Sequence, residues 1–140
     1  MPSPLVESLG LEPHPEGGWF RQTWVAPEEV ETLDGRVRPT ATLIHFLLHA
    51  GESSAWHRVA SDEIWLAHVG EVTLEVGGAD EQPSAGTRRT LGTDIEAGHA
   101  AQVIVPAGAW QRTLPGDADA LVSCVVSPGF DFADFELADP

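Results

Sequence analysis

Glycine and proline divide this chain into short apolar segments. The 140 residues include 14 glycines and 11 prolines, which occur along the whole length. Short apolar segments between turn residues predict strands rather than long helices. We expect strands at residues 18–24, 40–49, 54–59, 63–68, 72–76, 88–91, 101–105, 110–114 and 120–126. This pattern predicts an all-β sandwich or barrel.

Two short segments have features of helices. Residues 4–9 begin with a proline and precede Gly10, and residues 27–32 have an acidic first turn. Neither segment carries a pattern of chemically active side chains. The length suits one domain, and no repeat or linker divides it, so we expect a single domain over residues 1–140.

The charge balance restricts the partners. With 7 basic and 22 acidic residues, the net charge is −15. Binding to nucleic acid or an anionic membrane needs clustered cations, so we expect neither partner. The chain has no apolar run of the roughly 20 residues that span a bilayer, and its first residues lack a signal-peptide pattern. We therefore expect a cytoplasmic protein.

Missing residue types restrict the chemistry. The chain contains no lysine and no tyrosine, so Schiff-base formation through lysine and proton donation by a phenol are excluded. Its single cysteine, Cys124, lies in an apolar run typical of a buried strand, which favours a structural thiol. Histidines and carboxylates are left as the acid and base groups.

Two segments place polar residues at regular intervals between turns. The first, from Gly51 to Gly70, contains His57 and, six positions later, Glu63. The second, from Gly98 to Gln111, contains the turn sequence Pro-Ala-Gly three positions before its final glutamine. Both segments predict a hairpin that presents polar side chains from a β-sheet.

These segments resemble the two motifs of cupins. Three further stretches narrow the resemblance to the cupin-5 family of the RmlC-like cupins, once catalogued as a domain of unknown function. They are HPEGGWFR at residues 14–21, WHRVASDEIW at 56–65 and SPGFDFADFEL at 127–137. The resemblance covers about residues 9–137. It implies a double-stranded β-helix, or jelly roll, with a ligand cavity between its sheets, usually in a homodimer.

The resemblance also identifies the positions that bind metal in other cupins. Where those proteins have three histidines and a glutamate, this chain has His57, Val59, Glu63 and Gln111. Valine is not a ligand and an amide oxygen is a weak one. We therefore expect no tightly bound metal. Weak binding of iron, manganese, nickel or zinc by His57, Glu63 and Gln111 remains open.

The site residues follow from the expected inward faces of the strands. We predict that Glu63 orients His57, which acts as a general base. Alternatively, the two form a buried pair that only stabilises the fold. The other expected ligand contacts are Gln111, Trp65, Arg21, His45 and Phe130.

The remaining polar and aromatic residues have simpler interpretations. Glu16 is expected in a turn before the first strand, and Arg58 in an ion pair with Asp62 or across a dimer interface. Phe132 and Phe135 are expected in the core or at a dimer contact. Surface or interface positions are expected for His14, His49, His68 and His99.

These observations favour an isomerase, epimerase or lyase that acts on a polar, carbonyl-bearing metabolite with no metal or a weakly bound one. Two alternatives stay open. The chain is a binding module that holds a metabolite without converting it, or it is a metal-dependent oxygenase or decarboxylase, which the missing ligands disfavour. The sequence does not identify the substrate.

Overall fold

The computed structural model describes residues 3–139, which form one short helix, α1 (Pro4–Ser8), and thirteen strands. The strands are β1 (Glu12–Pro13), β2 (Trp19–Val25), β3 (Glu29–Glu31), β4 (Val37–Pro39), β5 (Thr42–Leu48), β6 (His57–Val59), β7 (Asp62–Val69), β8 (Val72–Val76), β9 (Thr87–Leu91), β10 (Gln102–Val105), β11 (Gln111–Leu114), β12 (Ala120–Ser127) and β13 (Phe135–Leu137). Short 3-10 turns occur at Ile95–Ala97 and Phe132–Asp134. No helix among residues 3–139 is both long and apolar enough to cross a membrane.

The strands form two facing sheets and a small hairpin. One sheet has the order β1-β2-β5-β12-β7-β10, and the other has the order β13-β6-β11-β8-β9. Strands β3 and β4 pair separately. All pairings between these strands are antiparallel. Two antiparallel sheets in this arrangement form the predicted all-β jelly roll.

Most of the predicted elements occur close to their expected positions. Each of the nine predicted strands overlaps an observed one, and α1 matches the first predicted helix. The helix predicted at residues 27–32 is wrong, because β3 lies there and pairs with β4. A single turn of helix has little stability of its own, whereas the hairpin closes through the hydrogen bond from the Thr32 N–H to the Arg36 carbonyl, 2.8 Å. Strands β1 and β13 were not predicted.

The register of the strands separates a packed core from a cavity. Along β5, Phe46 and Leu48 are buried in the core, whereas Thr42 and Ile44 line the cavity. Since alternate residues of a strand share a face, all four side chains point between the sheets. On β7, Trp65 lies in the core and Glu63, two residues earlier, at the cavity. One end of the jelly roll is therefore filled and the other is open to a ligand.

Candidate functional site

The cavity between the two sheets has a volume of about 330 Å³. This volume is at the lower end of the range for small-molecule pockets. Exposed Gln22, Asp131 and Phe132 belong to its lining and mark its mouth. The full lining is His14, Glu16, Phe20, Gln22, Thr42, Ile44, His57, Val59, Glu63, Cys124, Val126, Phe130, Asp131, Phe132 and Phe135.

A tight turn before β2 carries Glu16 into the cavity. The turn is closed by hydrogen bonds between His14 and the two glycines that follow Glu16. At Gly17, φ is +106°, and a Cβ would lie 2.5 Å from the Ser53 carbonyl oxygen. At Gly18, φ is +79°, and a Cβ would lie 2.7 Å from the Phe46 ring. Only glycine fits both positions, so the sequence Glu-Gly-Gly fixes the place of the carboxylate.

His57 is bonded through both ring nitrogens. Its Nε2 lies 2.7 Å from Glu16 Oε2, and its Nδ1 lies 2.8 Å from the Ala55 carbonyl oxygen. Because a carbonyl only accepts hydrogen bonds, Nδ1 carries a proton. Burial disfavours the charged ring, but the charge and hydrogen bond of Glu16 outweigh burial and raise the pKa of His57 to about 9. His57 is therefore an imidazolium at neutral pH.

Glu63 is a second buried carboxyl on the cavity wall. Its Oε1 accepts a hydrogen bond of 2.8 Å from Gln111 Nε2. Burial raises its pKa to about 7; the charge of His57 opposes this rise, while that of Glu16 adds to it. Hydrogen bonds from Gln111 and Cys124 also favour the ionised form. Glu63 therefore gains and loses a proton near neutral pH.

His14 supplies a neutral imidazole. Its Nδ1 accepts a hydrogen bond of 3.1 Å from the Glu16 N–H, so the neutral ring carries its proton on Nε2. Burial lowers the pKa of His14; the charge of Glu16 opposes this, and that of His57 reinforces it. The side chain is only 6% exposed, and within residues 3–139 its Nε2 has no hydrogen-bond partner. The Nε2–H group is thus a free donor at the cavity.

Aromatic rings close the cavity on the side of the C-terminal segment. Residues 130–135, here called the aromatic strap, contribute Phe130, Phe132 and Phe135 to the lining. The centroids of the Phe130 and Phe132 rings are 4.9 Å apart, with an angle of 84° between the ring planes. For the Phe132 and Phe135 rings the centroid distance is 5.8 Å and the angle is 76°. The Phe135 ring stacks on His57 at 5.7 Å. The two edge-to-face contacts and the stacked one together give the cavity a wall of aromatic surfaces.

The β3–β4 hairpin holds the strap in place. Asp134 accepts hydrogen bonds of 2.8 Å from Nε and Nη2 of Arg38 and one of 2.9 Å from Nη1 of Arg36. These bonds lower the pKa of Asp134 against the opposing effect of burial. One carboxylate is thus bound by two guanidinium groups, an arrangement that orients the strap over the cavity.

Three predicted site residues line the cavity: His57, Glu63 and Phe130. The prediction that Glu63 orients His57 is wrong, because Glu16 is the carboxylate bonded to the imidazole. The interpretation of Glu16 as only part of a turn is corrected by the same contact. Phe132 and Phe135, expected in the core or at a dimer contact, also line the cavity.

Two predicted ligand contacts lie behind the cavity wall. Gln111 is fully buried, and its Oε1 accepts a hydrogen bond of 2.9 Å from Trp65 Nε1. The other end of the amide donates to Glu63, so both polar atoms of Gln111 have partners. Trp65 itself packs in the core. These residues support Glu63 instead of lining the cavity.

Arg21 and His45 lie on the opposite face of their sheet. Phe20 and Gln22 line the cavity, so the side chain between them points away, and Arg21 donates to the Leu9 carbonyl oxygen at 3.3 Å. His45 is paired with Arg21 in register and follows the cavity residue Ile44. Neither residue replaces a missing metal ligand.

The other polar predictions have mixed outcomes. Arg58 forms its ion pair with Glu136 at 3.0 Å rather than with Asp62. His14, expected at the surface or an interface, lines the cavity. The remaining three histidines bond to nearby side chains away from the cavity: His49 to Glu52, His68 to Ser123 and His99 to Glu71.

The side chains at the site do not fit a metal ion. Within residues 3–139, no three His, Cys, Asp or Glu side chains are grouped as metal ligands. In the predicted set of His57, Glu63 and Gln111, the imidazole Nε2 faces Glu16 and the amide oxygen accepts from Trp65. A transition metal needs several free donor atoms at one point, which these hydrogen bonds do not leave.

Comparison with known proteins identifies the family. The sequence model of Cupin_5, described as "Cupin superfamily (DUF985)", matches residues 3–138. This chain therefore belongs to the Cupin_5 family of the cupin superfamily. The predicted family and the cupin jelly-roll fold are confirmed.

Solved structures agree with this assignment. A hypothetical protein from Leishmania major is 35% identical, with a TM-score of 0.83 over 94% of this chain and 84% of that one. A protein from Shewanella oneidensis is also 35% identical, with a TM-score of 0.83 over 98% and 85% of the two chains. A Cupin 2 conserved barrel domain protein from Salinispora arenicola, 20% identical with a TM-score of 0.58 over 95% and 91%, is similar in fold. No curated protein matches the chain significantly.

Sequence reasoning missed His14 and Glu16 as site residues. The signal was the segment HPEGGWFR, which contributed to the family resemblance and holds a histidine and a glutamate two positions apart before Gly-Gly. The turn brings both residues to the cavity, although they lie about 40 positions before His57. A pattern of strand faces alone does not reveal this contact, because Glu16 is in a loop.

Proposed function

We propose that this cupin is an isomerase, epimerase or lyase that transfers a proton on a polar, carbonyl-bearing metabolite. One observation carries the proposal: Glu63, whose pKa is raised to about 7, lines a cavity large enough for a small molecule. A carboxyl that titrates near the working pH is suited to general acid and base catalysis. The raised pKa also marks the site as a functional candidate.

In this mechanism Glu63 and His57 exchange the roles expected from the sequence. The ionised Glu63 accepts a proton from the carbon beside the carbonyl, and the electron pair moves to the carbonyl oxygen as an enolate. His57 is not the base, because its pKa of about 9 leaves both ring nitrogens protonated at neutral pH. Its fixed positive charge favours the ionised Glu63 and the negative charge that develops on the substrate.

His14 supports this chemistry as a donor. Its Nε2–H group is free to bond the enolate oxygen, and a neutral imidazole remains bound to that oxygen without giving up its proton. In an α-hydroxy carbonyl compound, Glu63 returns the proton to the second carbon while the hydroxyl proton passes to the enolate oxygen, which gives isomerisation. Epimerisation requires that water deliver a proton to the opposite face of the first carbon, while the proton held by Glu63 is released to solvent. Loss of a leaving group from the neighbouring carbon gives elimination.

The second candidate is a binding module that does not convert its ligand. It is supported by the hydrogen bonds that hold Glu16, His57 and Glu63, since a fully bonded network stabilises a cavity without any reaction. In both cases we propose a small-molecule ligand, a homodimer and a cytoplasmic location. The unsuitable donor set argues against the metal-dependent oxygenase or decarboxylase.

Deuterium exchange distinguishes the two candidates. Carbonyl compounds, including aldoses, ketoses and amino ketones, are first screened for those that raise the melting temperature. Each compound found is incubated with the protein in D₂O, and its C–H signals are followed by NMR. We expect deuterium to enter beside the carbonyl with the wild type and with the exposed control Glu96→Gln, but not with Glu63→Gln. Stabilising compounds that never exchange would identify a binding module instead.

A further inference from the structure

The cavity lining combines aromatic rings with carboxylates. Four of the fifteen lining residues are phenylalanines, and three are the acidic residues Glu16, Glu63 and Asp131. None of the fifteen is an arginine or lysine. We propose that the cavity binds an organic cation, an ammonium group carried by the ligand. The carbonyl part of that ligand rests on the proposed function, whereas the cationic part rests on the cavity alone.

The balance of charge in the cavity is negative. Glu16 and the imidazolium of His57 lie 2.7 Å apart and offset each other. His14 accepts a hydrogen bond at Nδ1 as a neutral ring. Asp131 and the ionised form of Glu63 are then left without an opposing charge among the lining residues. The guanidinium of Arg38 interacts with the charge of Asp131, but it lies outside the lining and is hydrogen-bonded to Asp134. An ammonium group stabilises the carboxylates of Asp131 and Glu63, whereas a phosphate or carboxylate on the ligand is repelled.

The aromatic walls favour the same ligand. The face of a phenyl ring carries negative potential and attracts a cation within about 6 Å. The near-perpendicular rings of Phe130, Phe132 and Phe135 present their faces and edges in several directions around one space. The site already contains one such contact, because the His57 ring stacks on Phe135 at 5.7 Å. Phe20 adds a fourth ring to the lining.

The cation must be organic rather than a metal ion. A metal ion needs several oxygen or nitrogen donors at about 2 to 2.6 Å, and within residues 3–139 no three His, Cys, Asp or Glu side chains are grouped as metal ligands. The cavity of about 330 Å³ is also far larger than a bare ion. An ammonium group with carbon substituents fills this space with apolar surface and brings its charge to the rings.

The test compares three probes of similar shape and different charge. Choline carries a quaternary ammonium, 3,3-dimethyl-1-butanol is its neutral analogue, and 3,3-dimethylbutanoate is an anion of similar size. Binding to the full-length wild-type protein is measured by calorimetry and by NMR. We expect choline to bind at least tenfold more tightly than the neutral analogue, a difference of about 1.4 kcal/mol, and the anion not to bind. Ethanolamine and tetramethylammonium extend the set of cations.

Two variants test whether the cation binds inside the cavity. Phe132→Leu and Asp131→Asn change exposed side chains at the mouth, so the fold is expected to persist. Each should weaken choline binding at least threefold without changing the affinity for the neutral analogue. Asp117→Asn, an exposed acidic residue outside the cavity lining, is the control and should change neither.

Three results would overturn the inference: equal affinity for choline and its neutral analogue, tighter binding of the anion, or no binding of any of the three ammonium probes at about 10 mM. The outcome is independent of the deuterium experiment. Ammonium binding without C–H exchange would reject proton transfer and retain the cationic ligand. C–H exchange on neutral compounds, with no preference for cations, would retain proton transfer and reject the cationic ligand.

Discussion

Two buried glutamates line the cavity together with His57 and have different environments. Glu16 lies 2.7 Å from His57 Nε2 and forms an ion pair with it. Glu63 is bonded to Gln111 instead, and burial raises its pKa to about 7. The environment of each carboxyl, and not its residue type, therefore decides which one stabilises the cation and which one exchanges a proton.

Replacement of Glu16 tests the ion pair. In Glu16→Gln the imidazolium loses its counter-ion, so we expect the pKa of His57 to fall and the free energy of unfolding to decrease by about 3 kcal/mol. Urea denaturation measures the stability, and NMR titration of the histidine ring measures the pKa. The exposed control Glu96→Gln should change neither. A His57 titration unchanged from the wild type would contradict the pairing.

The dependence of stability on pH tests both raised pKa values. The folded protein holds these protons more tightly than the unfolded chain does. The proton on Glu63 therefore contributes fully to the free energy of unfolding below the usual glutamate pKa of 4.5, and this contribution is lost as the pH rises through about 7. The proton on His57 contributes fully below pH 6.5, and its contribution is lost as the pH rises through about 9.

Thermal or urea unfolding from pH 4 to 10 separates these two windows. Relative to the wild type, Glu63→Gln should gain stability between about pH 4.5 and 7, on the order of 3 kcal/mol, because each pKa unit corresponds to about 1.4 kcal/mol. Carboxylates with lowered pKa values, such as Asp134, stabilise the fold above their usual pKa, and this stabilisation is lost as the pH falls below it. Their effect therefore lies at lower pH than the two windows of Glu63 and His57. Parallel curves for the wild type and Glu63→Gln would mean that Glu63 titrates normally.

At the level of elements, the turn before β2 and the aromatic strap build the site around a predictable framework. Alternating apolar residues and turns predict the strands that carry His57 and Glu63. They do not predict β13, which is short and pairs with β6 only after the strap has crossed the cavity. The hairpin of β3 and β4 is also missed: its pairing is local, but the acidic first turn of residues 27–32 indicates a helix, and its contacts with Asp134 come from a distant segment. Contacts between segments far apart in sequence determine this part of the site.

The turn that carries Glu16 should tolerate no side chain at Gly17. In Gly17→Ala the new Cβ meets the Ser53 carbonyl oxygen at 2.5 Å, and φ is unfavourable for alanine. We expect a loss of about 2 kcal/mol or more in stability and a lower pKa of His57, because Glu16 is displaced. Gly35→Ala is a matched control, since φ is +87° there and a Cβ would meet nothing within 4 Å. Equal losses in the two variants would rule out the predicted clash.

The ion pairs of Asp134 with Arg36 and Arg38 hold the aromatic strap and should control access to the cavity. Asp134→Asn removes the charge that both Arg36 and Arg38 bind, so we expect local opening of the strap to become easier by about 2 kcal/mol. Hydrogen exchange should then speed up at residues 130–137 and stay unchanged in the core strand β12. Exchange that speeds up equally in β12 would show global destabilisation instead of a local effect.

At the level of the whole molecule, the sequence predicts the all-β class because turn residues and strand faces are local properties, and the resemblance to cupin-5 implies the jelly roll. The strand pattern also places His57 and Glu63 at the cavity, where the structure has them. The partner of His57 is not predicted, because Glu16 reaches it from a loop about 40 positions away. The net charge of the chain, −15, has the same sign as the carboxylates that line the cavity. That charge favours the approach of a cationic ligand.

The chemistry proposed for this site depends on Glu63, which exchanges a proton near neutral pH inside the cavity. Its side-chain carboxyl carbon should be followed by ¹³C NMR from pH 4 to 10, with Glu63→Gln used to assign the signal. We expect a midpoint near 7 in the wild type and a higher one in His57→Gln, which lacks the cation that lowers the pKa. A midpoint near 4.5 that does not move in His57→Gln would show that Glu63 titrates as an ordinary carboxyl and is not the acid–base group of the cavity.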